Sequence, residues 1–191
     1  MSQKREIVDV AIVGAGAAGL MTAAWAGRTN RQRRIVLLDG AKKLGAKILV
    51  AGGGRCNVTH HEVNVDAFAG SSRNAIKKVL RRFDVPQTTR FFKELGVYLK
   101  QEETGKLFPT TDSAKTVLNG LLTAVRQANC EIRHPNRIEM IERQGERFVL
   151  RGAWGEIESQ SMVLATGGRS LPKSGSDGHG RLDTWLGLVA R

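Results

Sequence analysis

The clearest hydrophobic signal lies at the front of the chain. Ile7 to Val13 is short, rich in β-branched residues and ended by glycine, the pattern of a buried strand. Ala17 to Arg28 follows as a helix rich in Ala, Leu and Met, with Gly27-Arg28-Thr29-Asn30 as its stop. Ile35-Val36-Leu37-Leu38-Asp39 is a second buried strand that ends in a carboxylate. Strand, helix and strand within about 33 residues make a βαβ unit, which implies a right-handed crossover and a parallel sheet.

The middle of the chain changes to helical spacing. Ile76, Val79, Leu80 and Phe83 fall at i, i+3, i+4 and i+7, with Lys77, Lys78, Arg81 and Arg82 on the opposite, solvated side. Pro86 opens another helix, with Phe91, Phe92 and Leu95 inward and Gly96 as its stop. Val117, Leu118, Leu121, Leu122 and Val125 repeat at helical spacing after Asp112-Ser113, an N-cap pair. All three stripes are expected to be core. From Arg137 the pattern becomes strands: Ile138 with Met140 and Ile141, then Phe148 to Leu150, then Ile157, divided by turns at Gln144-Gly145 and Trp154-Gly155. This predicts a β-meander, followed by a separate buried strand over Ser161 to Ala165.

The 191 residues fit one domain with a small excursion, and 41% hydrophobic against 25% charged residues is enough to build a core. Thirty Lys+Arg against 18 Asp+Glu give a net charge of +12, which attracts anions such as phosphorylated cofactors or nucleic acid. Aromatics are only 5%, leaving few platforms for stacking bases, so no specific nucleic-acid partner is expected. Val10 to Gly27 carries no charge and contains Ala24-Trp25-Ala26, which also suits a signal peptide or a membrane span. Glu6 and Asp9 stand where a leader wants positive charge, and Gly14, Gly16 and Gly19 break the run, so neither leader nor membrane segment is expected. Cys56 and Cys130 form no CxxC pair and fit reduced thiols in a cytoplasmic protein. His60, His61, His134 and His179 lack metal-ligand spacing, so no metal is expected; His179, in a glycine-rich loop, is at most a weak acid–base candidate.

Twenty-two glycines cluster rather than spread. Gly14-Ala15-Gly16-Ala17-Ala18-Gly19 is the chief motif. Gly14 permits the tight turn, Gly16 lets a pyrophosphate approach the backbone, and Gly19 allows close helix–strand packing. The phosphates would rest on N–H groups at the positive end of the helix. Asp39, 20 residues after Gly19, would accept from the adenosine ribose, and a carboxylate there disfavours a 2′-phosphate. FAD and NAD both satisfy this first site.

A second glycine run, Gly52-Gly53-Gly54-Arg55-Cys56-Asn57, follows Lys42-Lys43-Leu44-Gly45-Ala46-Lys47. Three successive glycines let main chain lie flat against a planar group, and Arg55 and Asn57 add directed donors. This segment resembles the signature of the YhiN-like flavoproteins, FAD-dependent oxidoreductases within the glutathione-reductase-type FAD fold. The likeness extends to Gly105-Lys106-Leu107-Phe108-Pro109, to Ala165-Thr166-Gly167-Gly168, and to Pro172 with the Gly175-Ser176 turn.

The resemblance implies an α/β, Rossmann-like FAD/NAD(P)-binding domain over residues 1–191, with a parallel sheet, a β-meander and a helical excursion at about 64–130. It implies that Gly14, Ala15, Gly16, Ala17, Ala18 and Gly19 hold the pyrophosphate and Asp39 the ribose. Lys43, Lys47, Gly53, Gly54, Arg55, Cys56 and Asn57 would run towards the flavin. Ile138 would offer backbone contacts to adenine, and Ala165, Thr166, Gly167 and Gly168 would pass near the pyrophosphate and flavin end. Lys47 or Arg55 would stabilise anionic reduced flavin. Cys56 reads as a small buried residue rather than a redox thiol.

The expected function is FAD-dependent two-electron chemistry on a small molecule, with NAD(P)H a candidate reductant and no catalytic residue identified. Relatives of this kind continue into a substrate-side domain and a closing strand and helix. A missing C-terminal segment or partner chain is therefore expected to complete the site, and the alternative is a truncated, non-catalytic dinucleotide-binding remnant.

Overall fold

The computed structural model describes residues 6–69 and 72–168. Pro172, the Gly175–Gly180 loop, His179 and the chain end at Leu188-Val189-Ala190-Arg191 lie outside the described residues. In chain order the elements are β1 (Glu6–Val13), α1 (Ala17–Thr29), β2 (Ile35–Leu38), α2 (Ala46–Val50), β3 (Thr59–His60), α3 (Arg73–Arg82), α4 (Val85–Glu94), β4 (Leu99–Gln101), β5 (Lys106–Pro109), α5 (Ala114–Gln127), β6 (Glu131–Arg133), β7 (Met140–Gln144), β8 (Arg147–Gly152) and β9 (Gly155–Leu164).

Packing divides the chain into two units, one of residues up to Lys47 with those from Leu121 onward, the other Ile48–Gly120. The first unit carries a six-stranded sheet in the order β6-β2-β1-β9-β8-β7. Strands β6, β2, β1 and β9 run parallel, while β7, β8 and β9 pair antiparallel. Its mixed parallel and antiparallel sheet with flanking helices is a Rossmann-type fold. All four residues of β2 are buried, as a strand with parallel neighbours on both sides requires. Val8, Ala11, Val13, Val36, Leu38, Ile141, Leu150 and Ile157 form one core cluster. Gly27 lets α1 approach the chain beyond α5, because a Cβ there would lie 2.3 Å from the Ala128 carbonyl oxygen.

An ion cluster joins the strands at the sheet's edge. Arg133 of β6 donates to Glu6 of β1 through Nη1 and Nη2, each at 2.7 Å, and to Glu131 at 2.7 Å, while Arg34 also pairs with Glu6. The hydrogen bonds from Arg133 hold the Glu6 and Glu131 carboxyls below the usual carboxylate range.

Two sequence expectations need correction here. Ile157 and the Ser161–Ala165 run do not belong to separate strands. A single ten-residue strand, β9, pairs with β8 through Gly155 to Ser159 and with β1 from Ile157 to Leu164. Its second half is also only partly buried, with Ser161 exposed.

The middle of the chain is likewise not purely helical. The second unit contains a three-stranded antiparallel sheet, β3-β5-β4, of two-, four- and three-residue strands. Such strands are too short to show alternation in sequence. In α3 none of the stripe is fully buried, and Val79 is 68% exposed. Its neighbour α4 conforms better: Phe91 and Phe92 are buried, and Asp84 with Gln87 forms a reciprocal capping box.

Candidate functional site

Gly14 closes β1 with φ +105°, a conformation that disfavours any side chain, and its N–H donates to the Leu38 carbonyl at 2.7 Å. A Cβ at Gly14 would lie 2.5 Å from the Ala165 carbonyl oxygen, and one at Gly19 only 1.7 Å from that of Gly14. These two glycines are demanded by the fold itself. Gly16 is different: a Cβ there meets no described residue within 4 Å. The fold leaves space in front of this one glycine.

That space adjoins the first amides of α1. The hydrogen-bond ladder of α1 opens with the Leu20 N–H on the Gly16 carbonyl at 3.0 Å, so the amides of the preceding turn lack helical acceptors. No side chain caps this end, and the first turn carries no acidic residue. A thirteen-residue helix therefore presents its positive terminus beside Gly16, with no acid in its own first turn.

Asp39 stands at the end of β2. Its carboxylate accepts from the Ala15 N–H at 2.5 Å and from the Ala41 N–H at 2.7 Å. It thus braces the glycine loop, a role the sequence did not reveal, and each oxygen keeps a lone pair for a further donor. The Asn136 N–H donates to the Asp39 carbonyl at 2.7 Å, which sets the segment leading to Ile138 beside the β2 end. Ile138 is half-buried and packs on the core cluster.

Ala165 to Gly168 leave β9 against the same loop. The Ala165 N–H donates to the Val13 carbonyl at 2.8 Å, and Thr166 Cα lies 3.0 Å from the position a Gly14 Cβ would take. Lys47 Nζ donates to the Gly168 carbonyl at 3.4 Å. The first unit therefore brings together Gly14 to Gly19, Asp39, the approach to Ile138, Lys47 and Ala165 to Gly168. Ala17, Ala18 and Lys43 are exposed.

Gly53 to Asn57 belong to the second unit. The three glycines Gly52, Gly53 and Gly54 all adopt left-handed φ, at +55°, +68° and +87°, and Cys56 does so at +63°. Gly52 is held against Phe108 and Asn57, whereas a Cβ on Gly53 would meet nothing within 4 Å. Arg55 is already engaged: it pairs with Glu102 and lies 4.1 Å from the centre of the Phe108 ring. Nothing local to Arg55 in the sequence could show this, since its acid stands 47 residues away. Burial pushes the Cys56 thiol up and keeps it protonated, which suits a packing residue rather than a nucleophile.

His60 and His61 contact the carbonyls of Thr104 and Gly105, serving the turn before β5. No metal-binding group of acids, histidines or cysteines occurs among the described residues, and none of their helices is long and apolar enough to cross a membrane. A depression of about 470 Å³ in the second unit, lined by Val85, Pro86, Thr89, Arg90, Lys93, His61 and Leu107, holds none of the expected site residues.

The chain is similar to known proteins in sequence and in fold. The chain is 30% identical over 171 residues to a 3-dehydro-bile acid delta(4,6)-reductase of Clostridium scindens, covering 90% of this chain and 42% of that one. It is 32% identical over 175 residues to the ribosomal RNA dihydrouridine synthase of Escherichia coli, covering 92% and 43%. The chain thus spans less than half the length of these curated relatives. Among solved structures, the 3-ketosteroid-delta4-(5alpha)-dehydrogenase of Rhodococcus jostii superposes with a TM-score of 0.57 at 14% identity, over 88% of this chain and 47% of that one. The model of the HI0933-like protein Rossmann domain matches residues 8–184, nearly the whole sequence, and the chain belongs to that family.

Proposed function

We propose that this chain is the FAD-binding portion of an oxidoreductase that reduces a carbon–carbon double bond conjugated to a carbonyl. The observation that carries the cofactor reading is the contrast within the glycine loop. Gly14 and Gly19 are filled by the fold, yet a Cβ at Gly16 would meet no described residue within 4 Å, at a helix terminus whose first amides lack helical acceptors. A diphosphate suits that cradle in charge. Asp39, braced by two backbone amides, retains acceptor capacity for ribose hydroxyls.

The residues of the first unit would then hold the dinucleotide: Gly14 to Gly19 the pyrophosphate, Asp39 the ribose, Ile138 the adenine side, and Ala165 to Gly168 with Lys47 the stretch beyond. Gly53 to Asn57, on the second unit, carry the flavin-side roles that the YhiN-like resemblance assigns. Lys47 or Arg55 would stabilise anionic reduced flavin, Arg55 from its pairing with Glu102 and Lys47 from its bond to the Gly168 carbonyl.

The reaction class comes from what two relatives' names have in common. The double bonds of a 3-dehydro-delta(4,6) steroid and of a uracil ring are both polarised by a conjugated carbonyl. Bound FAD would supply two-electron chemistry: hydride to the carbon β to the carbonyl, with a proton going to the α carbon. A reduced nicotinamide would supply the electrons. The remainder of such a protein would complete the substrate side.

The flavin content of purified protein tests this reading, and Gly16→Val sharpens it. Because a Cβ at 16 meets no described residue within 4 Å, the variant should keep its circular dichroism while losing bound flavin at least tenfold. A variant that retains flavin, or a wild type that never binds it, overturns the proposal.

A further inference from the structure

Helix α3 is amphipathic in an unusual balance. Arg73, Lys77, Lys78, Arg81 and Arg82 lie on one side, and the helix contains no acid. Arg73 is committed to Asp66 at 2.6 Å. Lys77, Lys78, Arg81 and Arg82 are exposed and have no ion-pair or hydrogen-bond partner among the described residues. Spaced i, i+1, i+4 and i+5, they form two rows on one face, with about 6 Å of axial rise within each row. The nearest acid beyond the helix, Asp84, accepts from the Gln87 N–H and caps α4.

Like charges at i, i+4 destabilise a helix by a few tenths of a kcal/mol per pair. A face that accumulates four of them without a counterion among the described residues is suited to an external polyanion. Two polyanions compete for such a helix, a membrane surface and a nucleic acid. A membrane-surface helix must present its apolar stripe outward. In α3 that stripe is partly spent: Ile76, Leu80 and Phe83 are half-buried, and the Phe83 ring packs edge-on to Phe91 at 6.4 Å. Only Val79 stands out, and the cations point the opposite way.

From this we infer that the outer face of α3 docks the phosphate backbone of folded RNA through Lys77, Lys78, Arg81 and Arg82. The choice of RNA rests on the proposed function, since of the two acceptors considered there only the uracil ring arrives on a polyanion. Contact is to backbone rather than to unstacked bases, because α3 carries no exposed aromatic ring.

The test is binding of a 20-base-pair RNA hairpin to the full chain, followed by fluorescence anisotropy at several salt concentrations. Wild type should bind with a steep salt dependence, and the K77Q/K78Q/R81Q/R82Q variant should bind at least tenfold more weakly, its log–log salt slope smaller by about three to four. The charge-matched R31Q/R33Q/R126Q/R143Q variant, altered at exposed cations of the first unit, should change affinity less than threefold. Equal loss in both variants would mean diffuse attraction by net charge and overturn the docking face. So would binding to phosphatidylserine vesicles in preference to the hairpin, or tight binding that survives the α3 substitutions. The half-variants K77Q/K78Q and R81Q/R82Q, each expected to lose part of the slope, guard against a folding artefact. Flavin content is read in parallel. Its absence would overturn the proposed function without touching the RNA result, and loss of RNA binding with flavin intact isolates α3.

Discussion

The two units solve the problem of holding a chain together differently. In the first, side chains and backbone are interlocked: β2 is wholly buried, Ile157 is inaccessible, and two glycines exist because neighbouring backbone occupies the place of their Cβ atoms. In the second, short strands and caps carry more of the order, and α3 contributes no fully buried residue. The lesson is that a site needing sub-ångström placement sits where packing over-determines the backbone, while a surface that needs only charge can sit on a loosely held helix.

Substitutions can break that comparison. The largest effect is expected from Gly19→Val: its Cβ would fall 1.7 Å from a carbonyl oxygen, so destabilisation should reach about 4 kcal/mol or more, seen as loss of the cooperative urea transition. Next, Ile157→Ala should cost about 3 kcal/mol by denaturant titration, whereas Val79→Ala in α3 should stay within about 0.5 kcal/mol. If Val79→Ala proved as costly as Ile157→Ala, the contrast between the units would be false.

Acid sensitivity is a smaller effect than the loss of Ile157. Glu6 and Glu131 are held below their ordinary pKa of 4.5, so they bind fewer protons folded than unfolded. Their stabilising contribution is therefore full above about pH 5 and fades as pH falls through their depressed folded values. Glu6→Gln should flatten that acid limb and lower stability at neutral pH by about 1 kcal/mol, as thermal melts across pH 3–7 would show.

How much was legible in the sequence follows the same division. The βαβ opening could be read almost residue by residue, because buried β-branched runs, an alanine-rich helix and obligatory glycines leave few alternatives. The β-meander was visible, but its last strand was split in two. Polar Glu158, Ser159, Gln160 and Ser161 interrupt the apolar pattern of β9, although hydrogen bonds to two different neighbours keep it one strand. The small sheet of the second unit escaped because Thr59–His60 and Leu99–Gln101 are too short to declare a period. In α3 the periodicity was right and the inference of a buried stripe was not, since amphipathy states which face is apolar and not how much covers it. At the site, the motif already gives Gly14, Gly16 and Gly19 separate roles, and the geometry adds distances that no sequence carries: a Cβ would lie 2.5 Å from the Ala165 carbonyl oxygen at Gly14 and 1.7 Å from the Gly14 carbonyl oxygen at Gly19, but more than 4 Å from any described residue at Gly16. The engagement of Arg55 by Glu102 and the bracing of Ala15 by Asp39 depend on distant chain segments meeting, which no local pattern encodes.

Strand β9 has a mechanical consequence. One end is zipped to the β8 hairpin, the middle is stitched to β1, and the last residue hands directly to the Ala165–Gly168 segment lying on Gly14. It works as a connecting rod: a shift of β9 itself by one ladder pair would carry that segment along the strand axis by two residues, roughly 7 Å. Because β9 is held to β1 from Ile157 to Leu164, an insertion near the Trp154-Gly155 turn reaches the glycine loop only by shifting that register as well.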